Sequence, residues 1–283
     1  MTAPAADDLD TPARLTRFAP APTGYLHLGH VANAVWTWGL ARRTGADVLL
    51  RIEDHDRQRC RPEYEAALIE DLAWLGFRAD RGPVRQTDAE AVAAYESSLA
   101  RLRDAGLVYG CDCTRSTFAR WVAANGRPWT GPGCPGHCRE RGVAGPVLRV
   151  ALGEGRETWT DRILGRSEAA VAPNGDLAVR DRRANWTYGF CVVVDDMRQG
   201  VDLVVRGEDL LAATAAQIRL GRALGREAPP AFAHHRLIRR PDGSKLSKSA
   251  GDTGVRELRA AGHAPSEVVG LAASATGYRA GSV

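Results

Sequence analysis

The chain has 283 residues, of which 44% are hydrophobic and 25% charged. That is ordinary globular usage and excludes a disordered or collagen-like polypeptide. At about 150 residues per domain, the length implies one or two domains with a sizeable core.

The net charge of +4 permits a nucleic-acid partner without indicating one. No apolar run approaches the ~20 residues that span a bilayer. The first 14 residues, rich in Ala, Pro and Asp, lack the basic start and apolar stretch of a secretory signal. They read as a floppy lead-in to a cytoplasmic protein.

In chain order, the pattern predicts a strand at 15–19, a Pro- and Gly-rich turn at 20–24, and a helix at 31–43 with Ala34, Val35, Trp38 and Ala41 on one face. Residues 47–52 form a continuous apolar run of strand length, as in a buried parallel strand. Pro62 opens a helix running to about residue 75, and another helix covers 89–105. This alternation implies a doubly wound, Rossmann-like α/β parallel sheet. The alternation then breaks at 111–145, an irregular Gly- and Pro-rich insert. Strand-like runs follow at 147–152, 190–195 and 203–206, then a helix at 210–224 and a strand at 232–238. The last 34 residues suffice for two short helices.

Two lysines, Lys245 and Lys248, stand among 38 basic residues, so the other 36 are arginine. Both fall in Lys245-Leu246-Ser247-Lys248-Ser249. A coding bias that replaced lysine wherever any cation would serve has spared this pentapeptide. The site therefore needs a compact ammonium on a flexible stem rather than a planar guanidinium.

A second motif, Arg17-Phe-Ala-Pro-Ala-Pro-Thr-Gly-Tyr-Leu-His27-Leu-Gly-His30, lies where the first strand feeds a turn and a helix N-terminus. Unpaired N–H groups and the helix dipole make such a terminus a phosphate site. His27 and His30 can donate to one phosphate group, or can cap the helix; spacing alone fits both. Gly29 between them leaves space for a base or ribose.

Of six cysteines, Cys60 and Cys191 are isolated. The others form Cys111-x-Cys113, twenty intervening residues, then Cys134-x-x-x-Cys138. Two close pairs bridged by a loop suit a closed, structural thiolate zinc site that would knit the insert together. His137 is the alternative fourth ligand, and a disulfide the remote alternative.

The histidine and lysine motifs together, in that order and at opposite ends of a broken α/β domain, resemble the paired signatures of class I aminoacyl-tRNA synthetases. Arg17 to Gly24, Arg51-Ile-Glu-Asp54 and Val204-Val-Arg-Gly-Glu-Asp209 are similar to glutamyl-tRNA synthetases. Over nearly its whole length the chain resembles the catalytic-domain-only branch of that family, the glutamyl-Q tRNA(Asp) synthetases. Those enzymes attach glutamate to the queuosine base of tRNA(Asp).

The resemblance implies an ATP-dependent ligase acting on L-glutamate, ATP and queuosine-bearing tRNA(Asp), with Mg²⁺ accompanying ATP. It assigns glutamate to Arg17, Phe18, Ala19, Pro20, Ala21, Glu53, Tyr188 and Arg206. It assigns ATP to His27, Gly29, His30, Lys245, Leu246, Ser247, Lys248 and Ser249, with His27, His30, Lys245 and Lys248 catalytic. It places zinc on Cys111, Cys113, Cys134 and Cys138. Ala21 departs from the family's usual serine, which bears on glutamate binding.

The implied organisation is a tail (1–14), a first half-domain (15–110), a zinc-binding insert (111–145), the connective region and second half-domain with the lysine loop (146–249), and a helical C-terminal segment (250–283) without an anticodon-binding domain. We expect a monomer. The arginines of 139–141, 180–183 and 239–240 are candidates for tRNA phosphates. An adenylating ligase with a non-tRNA acceptor and a non-catalytic tRNA-binding relative are the competing readings.

Overall fold

The computed structural model describes residues 9–126, 133–173, 175–239 and 254–279. Strands β1 (Leu15–Phe18), β2 (Asp47–Ile52) and β3 (Arg81–Arg85) alternate with helices α1 (Leu28–Thr44), α2 (Pro62–Trp74) and α3 (Ala89–Asp104). Residues 48–52 of β2 are all buried, because helices cover both faces of the sheet. That burial explains the unbroken apolar run in the sequence.

Strand β4 (Val108–Cys111) leads into the insert, which carries α4 (Arg115–Asn125) and the single turn α5 (His137–Glu140). Strands β5 (Val147–Val150), β6 (Arg156–Asp161), β7 (Gly165–Ala170) and β8 (Leu177–Arg180) follow. Helix α6 (Tyr188–Arg198), β9 (Leu203–Gly207), a 3-10 turn at Glu208–Ala213, α7 (Thr214–Ala223) and β10 (Ala231–His235) complete the second half. The short helices α8 (Val255–Ala260) and α9 (Pro265–Thr276) end the described chain.

The main sheet has seven strands in the order β3-β2-β1-β9-β10-β6-β7, and β4-β5-β8 form a separate antiparallel sheet. Strands β3, β2, β1, β9, β10 and β6 run parallel, whereas β7 returns antiparallel beside β6. The sheet is thus mixed at one edge, a hairpin absent from the expected pattern. Strand order reverses between β1 and β9, the place where doubly wound sheets open a crevice beyond their strand ends.

One expectation is overturned. Residues 190–195, read as a strand, lie in α6. Every residue from 190 to 196 is buried, so the helix shows no polar stripe, and its Cys-Val-Val-Val run imitates a buried strand. Tertiary burial has outweighed the β preference of the valines.

Two apolar layers flank the sheet. On one side α1 packs against β1 and β2 and against Val255, Val268 and Ala272 of the C-terminal helices. Gly39 makes that docking possible, since a Cβ there would collide with the Tyr278 ring. On the other side Leu15, Leu49, Val204 and Phe232 of the sheet meet Ala215 and Ile218 of α7, and a separate cluster joins Tyr95, Leu99 and Leu102 of α3 to Phe190 and Val192 to Val194 of α6 and Leu220 of α7.

Candidate active site

A cleft of about 400 Å³ opens at the β1/β9 switch point. Arg17, Phe18, Ala19, Pro20 and Ala21 line it from the end of β1, Glu53 from the end of β2, Tyr188 from the start of α6 and Arg206 from β9. His27, Gly29 and His30 line it from the start of α1. The structure therefore gathers the sequence-selected residues of four distant segments into one space. Lys245, Leu246, Ser247, Lys248 and Ser249 lie outside the described residues, as do Arg240 and the ends of the tail and C-terminal segment.

At one end of the cleft, the two histidines cap α1 and each other. His27 Nδ1 accepts the Gly29 N–H at 3.0 Å, and His30 Nδ1 accepts the His27 N–H at 3.2 Å. Their rings lie 4.0 Å apart. Both capping and a phosphate-facing role are compatible: with each Nδ1 accepting, a neutral ring carries its proton on Nε2, which is a donor. A Cβ at Gly29 would sit 2.8 Å from His27 Cε1, so the glycine gives room to the folded-back imidazole as well as bordering the cleft.

Beneath the cleft lies a buried ion cluster that the sequence did not reveal. Arg51 is wholly buried and donates to Asp196 at 2.7 Å, to Glu53 at 3.2 Å and to Gln199 at 2.9 Å. Burial opposes its charge, but Asp196, Glu53 and Asp195 outweigh that and hold the guanidinium above its ordinary pKa. Asp196 also accepts from Arg17 Nε at 3.1 Å, while Arg17 Nη1 donates to the Val205 carbonyl at 3.2 Å. Burial raises the Asp196 carboxyl, yet Arg17 and Arg51 more than compensate, and it stays below the usual range. Glu53 differs: burial dominates over Arg51 and Arg17, and its carboxyl is raised. Asp195 completes the cluster, accepting from Gln86, Tyr95 and Arg198 at 2.7 to 2.8 Å.

Arg206 is held quite differently. Its Nε donates to His234 Nε2 at 3.0 Å, Nη1 to Gln217 Oε1 at 2.6 Å and Nη2 to the Thr214 hydroxyl at 2.8 Å. The guanidinium also lies over the Phe232 ring. All its partners are neutral, and among the described residues no carboxylate lies within ion-pair distance. Burial accordingly lowers its pKa. A cation 4% exposed, with Asp196 acting on it only from beyond ion-pair distance, is a strong local demand for an anion.

In the insert, the Sγ atoms of Cys111, Cys113, Cys134 and Cys138 lie within 4.8 Å of one another, all buried. None is in a disulfide. Cys113 stands 3.2 Å from Cys138 and 3.9 Å from Cys134, sulfur to sulfur. The group could hold a metal ion. His137 is not a member; its Nε2 meets Arg141 instead at 3.1 Å. Arg182 donates to the carbonyls of Asp112 and Cys113, both at 2.8 Å, and so ties the 181–185 turn to the insert. Three more of the candidate arginines are engaged: Arg180 with Glu96, Arg183 with Gln58 and Arg239 with Glu208.

Paired histidines at a helix start beside a switch-point cleft suit an anionic ligand bound by a doubly wound α/β domain. The family model described as "tRNA synthetases class I (E and Q), catalytic domain" matches residues 14–125 and 138–272, and the chain belongs to that family.

Among curated relatives, the glutamyl-Q tRNA(Asp) synthetase of Symbiobacterium thermophilum is 40% identical over 280 residues, covering 92% of this chain and 86% of the relative. That of Rhodobacter capsulatus is 37% identical, covering 90% and 98%. Glutamate–tRNA ligase 2 of Halorhodospira halophila is 40% identical over 88% of this chain, which spans only 54% of that relative. In three dimensions the chain resembles a glutamate tRNA ligase from Elizabethkingia meningosepticum solved in complex with its amino acid. The TM-score is 0.74 with 27% identity, covering 92% of this chain and 60% of that one. No helix among the described residues is long and apolar enough to cross a membrane.

Proposed function

We propose that this chain, a cytoplasmic monomer, activates glutamate with ATP and transfers it to the queuosine base of tRNA(Asp). The observation that carries the reading is Arg206, a buried cation in the cleft held only by neutral partners. Leaving such a charge unpaired costs several kcal/mol, and a substrate carboxylate offsets that cost. Glutamate brings two carboxylates and one ammonium. Arg17 and Arg206 clamp the carboxylates, Glu53 faces the ammonium, and Tyr188 with Phe18 to Ala21 closes around the chain. The two Glu-Q relatives, matched along most of their own lengths, support this substrate and acceptor.

Activation needs no general base, because the α-carboxylate is already ionised at neutral pH. Its oxygen bonds to the α-phosphorus of ATP, the bond to the bridging oxygen breaks, and pyrophosphate leaves. Nε2 of His27 and of His30 donate to the phosphates, with Gly29 beside them. Lys245 and Lys248, in the segment 245–249 with Leu246, Ser247 and Ser249, neutralise charge gathering on the pyrophosphate. A nucleophile of the queuosine base then attacks the acyl carbon and AMP departs. Mg²⁺ would travel with ATP, held chiefly by phosphate oxygens and water.

Zinc fits the insert. Tetrahedral thiolate zinc, with Zn–S near 2.3 Å, sets sulfurs roughly 3.8 Å apart, and the four sulfurs stand within 4.8 Å of one another. Cys111, Cys113, Cys134 and Cys138 would hold it, and it would supply structural cross-linking.

The test is transfer of labelled glutamate to purified tRNA(Asp). Label should enter queuosine-bearing tRNA in an ATP-dependent way; equal labelling of queuosine-free tRNA would reject the acceptor.

A further inference from the structure

Three neighbouring strands place Asp161, His234 and Arg206 in a line. Arg206 of β9 pairs in register with His234 of β10, and Asp161 ends β6 on the far side of β10. His234 Nδ1 lies 2.5 Å from Asp161 Oδ2, and His234 Nε2 lies 3.0 Å from Arg206 Nε. None of the three is more than 4% exposed.

The proton positions follow from the donors. Asp161 Oδ1 accepts the backbone N–H groups of Ile163 and Leu164 at 3.0 Å and of His234 at 3.3 Å, so the carboxylate cannot turn. An ionised carboxylate has no proton to give, and the imidazole must present N–H at Nδ1. Nε2 then carries a lone pair, which accepts from Arg206 Nε–H and, at 3.3 Å, faces the Thr214 hydroxyl.

We propose that Asp161 and His234 are positioning residues for Arg206: the carboxylate fixes the His234 tautomer, and neutral Nε2 anchors the clamp without cancelling its charge. An Asp or Glu in the place of His234 would hold Arg206 as firmly but would neutralise the cation the substrate needs. The inference rests on the reading of Arg206 as a substrate-carboxylate clamp.

Asp161→Asn is the decisive variant, because the amide keeps the shape and reverses one bond. Its oxygen can still accept the three backbone N–H groups, while its nitrogen now donates to His234 Nδ1. The imidazole proton moves to Nε2 and confronts the Arg206 Nε–H, donor against donor. His234→Leu removes the anchor, and His234→Gln returns an acceptor near the former Nε2.

Nitrogen-detected NMR reads the tautomer and the exchange rate of Arg206 Nε–H; pyrophosphate exchange gives KM for glutamate and for ATP. The parent should show His234 protonated at Nδ1 and a slowly exchanging Arg206 Nε–H. Asp161→Asn and His234→Leu should raise the glutamate KM about tenfold or more and leave the ATP KM within about twofold, and His234→Gln should recover most of the loss.

A parent His234 protonated at Nε2 alone overturns the proposal. So does a glutamate KM within about twofold of the parent in folded Asp161→Asn and His234→Leu; if the former does not fold, the His234→Leu and His234→Gln pair decides. A parent without any glutamate-dependent exchange contradicts the substrate assignment alone, and the tautomer and Arg206 exchange still decide the positioning.

Discussion

Arg51 donates to Asp196 at 2.7 Å from a position wholly out of solvent, and Asp196 in turn fixes Arg17 at the cleft wall. One carboxylate thus serves two buried guanidinium groups. Removing it takes away the one carboxylate within ion-pair distance of Arg17 among the described residues and leaves Arg51 to Glu53 and Asp195; truncating one member of a buried pair typically costs about 3–5 kcal/mol. Asp196→Ala should lose about 3 kcal/mol in urea denaturation, and Asp196→Asn less. A loss below about 1 kcal/mol would show the cluster to be solvated or replaceable.

Asp71 on α2 gives a pH-dependent prediction. Its carboxylate oxygens have no hydrogen-bond partner, with Arg256 Nε at 3.6 Å, and burial raises its pKa to about 6. In the unfolded chain it titrates near 4. Between about pH 4 and pH 6 the folded state therefore binds the proton that the unfolded state has released, and stability from this group is lost as pH rises through that window. Asp71→Asn should match the parent at pH 4 and exceed it by about 1 kcal/mol at pH 7.5, with allowance for solvent screening. Denaturation curves at both pH values check this; an equal difference at both would contradict it.

The parts of this molecule that are legible in the sequence are local. β1, β2, α1 and the histidine motif sit side by side in the chain, and a buried parallel strand announces itself as an apolar run. The cleft residues from Arg17 to Ala21, the two histidines, Glu53 and Arg206 are found through motifs that lie next to strand ends, whereas Asn33 and His235, which also line it, are not singled out. Arg51, quoted only as part of a motif, and Asp195 and Asp196 are given no role, because the partners that tie the cluster together come from 100 to 179 residues away. The valine run before Asp195 and Asp196 reads as a strand at 190–195; in α6 the two aspartates instead meet Arg51 and Arg17. Nothing local in the sequence ties His234 to Asp161, which lies 73 residues away in the chain.

Cys134 tests the metal reading. Zinc binding and folding of the insert are coupled, because its apolar cluster consists largely of the four cysteines and Val147. The purified, reduced protein should contain about one zinc per chain, and Cys134→Ser should bind it more weakly and melt at lower temperature. Elemental analysis and thermal unfolding decide; parent protein free of zinc after metal-replete expression would contradict it.

Ala21 lines the cleft beside Pro20 and Arg17. Restoring the hydroxyl should add one hydrogen bond to the bound substrate, about 1 kcal/mol or roughly fivefold in glutamate KM. Ala21→Ser in pyrophosphate exchange reads this directly; an unchanged or higher KM would show that the substrate does not reach this wall.

The most direct measurement for the whole account is isotope exchange between pyrophosphate and ATP, with each amino acid supplied alone and no tRNA present. Exchange that depends on L-glutamate, and collapses in Arg206→Ala, is the expected result. Exchange supported equally by neutral amino acids, or persisting in Arg206→Ala with the parent's glutamate KM, would contradict a cleft built to clamp a dicarboxylate.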